Sequence, residues 1–250
     1  MVRYNWITLG LLIVFHLMGI RAGSTHSAQS NQRVVEVNVL LEGLFCQHTY
    51  QLKQAHSFEM GDPIPILSEG LADTITIAFH NIDDYSVNVW GELIYYETKA
   101  ILDVYGRSTI QIPDHIDADP FEGNYWLSIR HRNHVEIVFA DPITIGEATY
   151  YTIDFITGSE SDDPSVGSNQ KYLGSIILNG METHAYAMYA GDINGDGHVN
   201  LTDRGLLNHS IGQGLRGYLN SDLNGDGVVT ISDRSLLHHN IFDQISRKTP

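Results

Sequence analysis

Asp192–Ile211 reads DINGDGHVNLTDRGLLNHSI, and Asp222–Ile241 reads DLNGDGVVTISDRSLLHHNI. The second stretch repeats the first at an offset of 30 residues, and most paired positions are identical or similar. Such a duplication marks two copies of one supersecondary unit. Each copy places oxygen-bearing groups at alternate positions and then enters a Leu-Leu segment. Calcium is a hard ion that takes six to eight oxygens at about 2.3–2.6 Å, so a loop with oxygens at positions 1, 3, 5, 7, 9 and 12 can wrap one. In the first loop these are Asp192, Asn194, Asp196, the carbonyl of His198, Asn200 and Asp203. In the second they are Asp222, Asn224, Asp226, the carbonyl of Val228, Thr230 and Asp233. Gly197 and Gly227 stand at position 6, where the chain turns sharply. Val199 and Val229 at position 8 are expected to pair apolar surfaces between the loops. Position 12 of both loops carries Asp, one methylene shorter than Glu, and no helix is evident before the first loop.

Helices are expected over about 203–211 and 233–241, with Thr202 and Ser232 as N-caps. Leu206, Leu207 and Ile211, and then Leu236, Leu237 and Ile241, give each an apolar stripe. The three Asp carboxylates gathered by each loop repel one another until a cation offsets them, so folding of the module is expected to be coupled to calcium, with two ions in all. His198, His209, His238 and His239 raise a transition-metal alternative. A position-7 residue contributes its carbonyl, however, and adjacent His238 and His239 do not share one helix face.

Working outward, residues 33–157 have a period of two. Val35, Val37, Val39 and Leu41 alternate with Glu36, Asn38, Leu40 and Glu42, and Ile75, Ile77 and Phe79 alternate with Thr74, Thr76 and Ala78. Further strands are expected over Ser86–Tyr96, Ala100–Val104, Thr109–Ile112, Tyr125–Arg130, Glu136–Phe139 and Thr149–Ile156, separated by turn residues. Seven or eight short strands suggest a β-sandwich, with a closed barrel as the alternative. The fold class is thus a mainly β, sandwich-like N-terminal module with a small α-helical calcium-loop module behind it.

No catalytic constellation is specific within this β region. There is no nucleophile elbow and no zinc-protease helix motif, and carboxylate pairs such as Asp117 and Asp119 have no defined separation across a cleft. The densest polar cluster, His131-Arg132-Asn133-His134, reads as a polar turn that satisfies backbone groups, with a ligand site at a strand end or turn as the alternative. Trp90, Trp126, Tyr95, Tyr96 and Tyr125 offer a glycan platform, but strand alternation lets at most half of them share a surface. Residues 158–171 read as a linker, and Tyr172–Leu178 and Tyr186–Tyr189 as a return to the β module.

The amino terminus reads as an export signal. Arg3 precedes the apolar run Trp6–Ile20, which is short of the roughly 20 residues of a membrane span. Small residues allow cleavage at Ser24 or Ala28. The lone Cys46 excludes an internal disulfide and is expected to be buried. With 14 Lys and Arg against 30 Asp and Glu, the net charge of −16 argues against nucleic acid and anionic membrane as partners. The expected organisation is signal peptide 1–24, β module 25–157, linker and connecting strands 158–190, calcium pair 191–243 and tail 244–250. The expected location is extracellular or at the cell surface, with no membrane span after cleavage.

The paired loop-and-helix segment from about Gly191 to Phe242 resembles a type I dockerin. That resemblance implies docking onto a cohesin, usually in surface complexes that degrade polysaccharides. It places the partner-reading face at positions 10, 11, 17 and 18 of each repeat. Here these are Leu201, Thr202, Asn208 and His209, then Ile231, Ser232, His238 and His239. They depart from the family's usual small hydroxyl pair and its Lys or Arg. The segments DTITIAFHN, YWLSIRHRNHVEIVFADPITI, YYTIDF and AYAMYAGDINGDG resemble an uncharacterised β-rich module of bacterial secreted proteins that runs directly into a dockerin-like repeat. The expected function is non-catalytic, calcium-dependent attachment to a protein partner. The alternatives are a carbohydrate-active enzyme or carbohydrate-binding module tethered by the dockerin, and a structural surface protein in which calcium only stabilises.

Overall fold

Val35 and Val37 are fully buried while Glu36 between them reaches the surface, as alternation requires of a strand with one wet face. A computed structural model describes residues 33–81, 94–116, 119–139, 141–157, 170–178, 181–242 and 245–246. The expected export signal, Trp90 and most of the expected linker lie outside the described residues. Arg33–Asn38 is the middle strand of a three-stranded sheet, parallel to Tyr150–Asp154 and antiparallel to Arg107–Ile112. A five-stranded antiparallel sheet runs His134–Val138, Gly123–His131, Leu71–Asn81, Ile94–Asp103, with Ile143–Ile145 also pairing with Gly123–His131. Val35, Val37 and Ile110 from the first sheet join Ile75, Ile77, Phe79, Leu127 and Ile129 from the second in one core. Short hairpins at Phe45–Cys46/Gln51–Leu52 and His56–Glu59/Asp62–Pro65 were not legible in the periodicity.

Two expected strands prove to be one. The described end of Ser86–Tyr96 and all but the last residue of Ala100–Val104 form the single strand Ile94–Asp103. Glu97, Thr98 and Lys99 interrupt the apolar pattern, yet the ladder continues through them, opposite Ala78, Ile77 and Thr76. Gln170–Leu178 and Met181–Met188 pair with each other, and Ile176, Ala185, Ala187 and Met188 enter the β core. Cys46 is half-buried rather than buried. Tyr95 and Tyr125 stack at 5.3 Å and both meet Phe121, so these tyrosines belong to an aromatic core cluster rather than to a platform.

The helices run longer than expected and start earlier: α1 spans Leu201–Gly212 and α2 spans Ile231–Phe242. The N-cap of α1 is Asn200, not Thr202. Its side chain accepts from the Thr202 N–H at 2.7 Å, and Asp203 accepts from the Asn200 N–H at 2.9 Å, a reciprocal capping box. Thr230 takes the same place before α2, accepting from the Ser232 N–H at 3.1 Å, so Ser232 is not the cap either. Leu207 and Leu237 are fully buried, while Leu206 is 41% exposed. The inward stripe is Asp203-Leu207-Ser210 and Asp233-Leu237-Asn240, which turns both position-12 acids toward their loops.

A second core unites Ile193, Val199, Leu207, Leu223, Val229, Leu237 and Ile245 with Val135 of the β module. Val199 and Val229 are both buried here, but their backbones do not pair with each other. The Val199 N–H donates to the Ile245 carbonyl at 3.0 Å, and the Val229 N–H donates to the Leu215 carbonyl at 3.1 Å. Each loop is therefore clasped by the segment that follows the other repeat's helix. Ile245 is part of this module rather than of a free tail. Both modules belong to one compact unit, Asn31–Pro250.

The joint between them is tight. The Glu42 carboxylate accepts from the Ala190 N–H at 2.9 Å and the Asn240 side chain at 2.6 Å, and pairs with Lys171. Gly43 lies so close that a Cβ there would run into the Leu223 carbonyl. Gly43→Ala is therefore expected to destabilise the protein by about 2–3 kcal/mol through overpacking against backbone. Gly146→Ala, where a Cβ would meet nothing within 4 Å, should leave stability unchanged within about 0.5 kcal/mol. Paired urea melts would measure the difference, and equal midpoints would refute the close contact.

Candidate functional site

Each loop is shaped by its own side chains. Asp192 accepts from the Asp196 N–H at 3.0 Å through Oδ1 and from the Gly197 N–H at 2.9 Å through Oδ2. Asp222 accepts from the Gly227 N–H at 2.9 Å through Oδ2. Gly197 and Gly227 reach these bonds at φ values of +83° and +81°, which only glycine adopts without strain. The position-5 acids Asp196 and Asp226 accept from the N–H groups of His198 and Val228, each at 2.9 Å. The position-12 acids draw each loop back toward its helix. Asp203 accepts from Ile193 at 2.9 Å and Asp233 from Leu223 at 2.8 Å, both through Oδ1.

The expected ligand residues are thus brought onto two loops of like geometry. The donor set, carboxylate, carboxamide and carbonyl oxygen, suits a hard cation rather than zinc or nickel. Asp222 Oδ1 is buried with no hydrogen-bond partner, an orphaned acceptor that a cation would satisfy. The residues that would hold calcium are those at positions 1, 3, 5, 7, 9 and 12 of each loop. The Asn194 and Asn224 side-chain amides donate to Asp196 and Asp226 at 2.8 and 2.9 Å. Among the described residues no group of three or more His, Cys, Asp or Glu gathers as a metal cluster. His198, His209, His238 and His239 are exposed and do not converge; His239 Nδ1 lies 2.7 Å from its own helix's Ser235 carbonyl.

Electrostatics agrees with this need for a cation. Burial pushes the Asp192 and Asp222 carboxyls up to about 6. Hydrogen bonds from Gly197 and Gly227 oppose the rise, and neighbouring acids add to it. Burial raises Asp203 and Asp233 as well.

The residues named for partner reading all lie on the surface. Leu201, Thr202, Asn208 and His209 on α1, and Ile231, Ser232, His238 and His239 on α2, are exposed, and the two sets occupy equivalent positions. Leu201 and Ile231 remain 64% and 65% exposed despite their apolar side chains.

Of the two readings the sequence offers for residues 131–134, a ligand site or a polar turn, the structure shows how the second is realised. His131-Arg132-Asn133-His134 does satisfy backbone groups, and those groups belong to the calcium-loop module. Arg132 donates to the carbonyls of Leu219 and, at 3.0 Å, Asp222. The Asn133 side chain donates to the same Asp222 carbonyl at 2.9 Å, and its own carbonyl accepts from the Gly191 N–H at 2.9 Å. Behind the turn runs a chain of buried polar contacts. The Gly43 N–H donates to His134 Nε2 at 3.4 Å, and His134 Nδ1 lies 2.8 Å from both the Asn133 side-chain oxygen and His131 Nδ1. His131 Nε2 then donates to Asp73 at 3.1 Å. Burial lowers both histidines, and the Asp73 hydrogen bond opposes that fall at His131. Asp73 also accepts from Tyr218 and lies 3.6 Å from Arg132. Burial pushes Asp73 up, but the His131 hydrogen bond and the nearby charges outweigh it and hold its carboxyl below the usual range. The density of polar residues at 131–134 was the available signal. Asp73 and Tyr218 carried none.

Comparison with known proteins agrees with the C-terminal geometry. Residues 190–242 match the family model described as Dockerin type I domain, so the chain carries a C-terminal dockerin domain behind a β-rich module. Dockerins as a family bind calcium. No curated protein matches. Among solved structures, a C-terminal interface mutant of a type II Cohesin-X-Dockerin complex from Acetivibrio cellulolyticus is similar at 12% identity and a TM-score of 0.38. The match covers 84% of this chain and 95% of that one. An N-terminal interface mutant of the same type of complex gives 13% identity and a TM-score of 0.38, over 86% and 97% of the two chains.

The raised carboxyls predict a pH dependence. A carboxyl with a pKa of about 6 holds a proton below that pH, and a calcium ion bound to it would have to displace that proton. Calcium affinity should therefore be level above about pH 7 and fall below pH 6, approaching tenfold per pH unit for each displaced proton. Calorimetric titrations at pH 5, 6 and 7 would test this. An affinity flat across that range would contradict the burial of these acids.

Proposed function

We propose that this is a secreted, non-catalytic attachment protein whose dockerin domain, shaped by two calcium ions, binds a cohesin-like partner. The observation that carries this reading is the dockerin match over residues 190–242, joined to two helices that expose equivalent faces. Each ion would sit in one loop, on Asp192, Asn194, Asp196, His198, Asn200 and Asp203, or on Asp222, Asn224, Asp226, Val228, Thr230 and Asp233. The cation would relieve repulsion among buried acids and fix the starts of α1 and α2. A partner would then meet a preformed surface carrying Leu201 and Ile231. At a hundred times its dissociation constant, calcium adds about 2.7 kcal/mol of stability. Extracellular calcium would supply that if each loop binds in the micromolar range.

A non-catalytic role is supported by how the densest polar cluster of the β module is used, since its side chains hold the dockerin domain. An extracellular location rests on the apolar leader and the acidic composition. Among the described residues no helix is long and apolar enough to cross a membrane. Membership of a polysaccharide-degrading assembly is the wider context that this reading implies.

Immobilised type I cohesins are expected to retain the full chain in calcium and release it in EGTA. Leu201→Asp combined with Ile231→Asp should weaken capture at least a hundredfold, since binding would bury two unpaired carboxylates in place of apolar side chains. Far-UV circular dichroism should stay unchanged, because both side chains are exposed. Capture that survives EGTA or the double substitution would count against the proposal.

A further inference from the structure

The two loops are near-identical in sequence, yet their surroundings differ sharply. The tip of the first loop stands in solvent. Asn194, Gly195 and Asp196 are exposed, and a Cβ on Gly195 would meet nothing within 4 Å. The same glycine in the second loop, Gly225, is buried against Leu44 and Ala55. Its carbonyl accepts from the His56 N–H at 2.9 Å, and Lys53 donates to the Asn224 carbonyl at 3.3 Å. Gly227 lies against the Ser57 carbonyl, and Gly43 against that of Leu223. Most directly, Arg132 and Asn133 both donate to the carbonyl of Asp222, whose side chain opens the loop. Asp222 is completely buried, and its Oδ1 has no hydrogen-bond partner. The β module therefore grips the main chain of the second loop at positions 1 to 4 and leaves one buried carboxylate oxygen unsatisfied.

We propose that Arg132 and Asn133 are positioning residues of the second calcium site, making it the tighter of the two, and that calcium there locks the two modules together while the first loop exchanges its ion independently. The proposal rests on the calcium reading above and adds the inequality of the loops. Its physical basis is preorganisation. A loop whose backbone is already fixed loses less freedom when the ion arrives. Groups that hold a ligand from behind tune metal affinity by about 10–100-fold when removed. Nothing comparable holds the exposed tip of the first loop among the described residues.

The test uses the full chain and calcium alone, titrated against a chromophoric chelator. Asp196→Ala and Asp226→Ala each disable one loop at an exposed position, so neither disturbs packing. Asp196→Ala should retain the tighter constant and Asp226→Ala the weaker. Asn133→Ala should weaken the tighter constant about tenfold and leave the other unchanged. Combined with Asp226→Ala it should have no further effect on the remaining site. Hydrogen exchange supplies a readout of the lock. Calcium should protect amides of residues 43–57 in the wild type and in Asp196→Ala, and should fail to do so in Asp226→Ala. Equal constants in the two single-loop variants, or equal weakening of both sites by Asn133→Ala, would overturn the proposal. If Asn133→Ala does not fold, the comparison of Asp196→Ala with Asp226→Ala still decides. Binding to neither loop would instead overturn the calcium reading itself.

Discussion

Asp222 belongs to two structures at once. Its carboxylate opens the loop of the second repeat, and its carbonyl is the acceptor on which Arg132 and Asn133 of the β module converge. Burying an acid with one oxygen unsatisfied is costly unless a cation or a proton arrives. The same residue therefore carries the electrostatic demand for an ion and the mechanical link between modules. That link explains why Val135, a β-strand residue, lies in the core of the calcium-loop module. The strand His134–Val138 is buried along its whole length, and it contributes Ile137 to the β core and Val135 to the core it shares with the helices.

The duplicated module keeps its internal symmetry where the repeats meet each other and loses it where one repeat meets the β module. The reciprocal clasps, Val199 to Ile245 and Val229 to Leu215, obey the 30-residue offset. Ser210 and Asn240 occupy the same position of the two helices but behave differently. Ser210 bonds back to its own helix at Leu206, whereas Asn240 crosses to Glu42 and Ala190. The substitution follows the joint. Gly195 and Gly225 show the converse, an unchanged residue whose surroundings differ completely. Identity between repeats is therefore a poor guide to equivalence of their sites.

Much of this was legible in the sequence because its signals are local. Alternating Val35 and Val37, and oxygen donors at alternate loop positions, report on near neighbours whose geometry a short stretch sets. The errors have physical causes of the same scale. Thr202 and Ser232 look like N-caps by residue type, but Asn200 and Thr230 take that role because the position-12 acids already bond back to their N–H groups. The strand Ile94–Asp103 reads as two because Glu97 and Lys99 face water and Thr98 between them is polar, on a ladder that continues through all three. The module joint was not legible, since it pairs residues far apart in the sequence, such as Asn133 with Asp222 at a separation of 89. Only the crowding of polar residues at 131–134 hinted that those side chains had something to satisfy.

The account stands on the claim that calcium makes the two modules a single cooperative structure. Scanning calorimetry of the full chain in excess calcium measures this most directly. The expected result is one endotherm whose van't Hoff and calorimetric enthalpies agree, splitting into two when the ion is chelated. Two separate endotherms in saturating calcium, with the C-terminal module melting by itself, would contradict it.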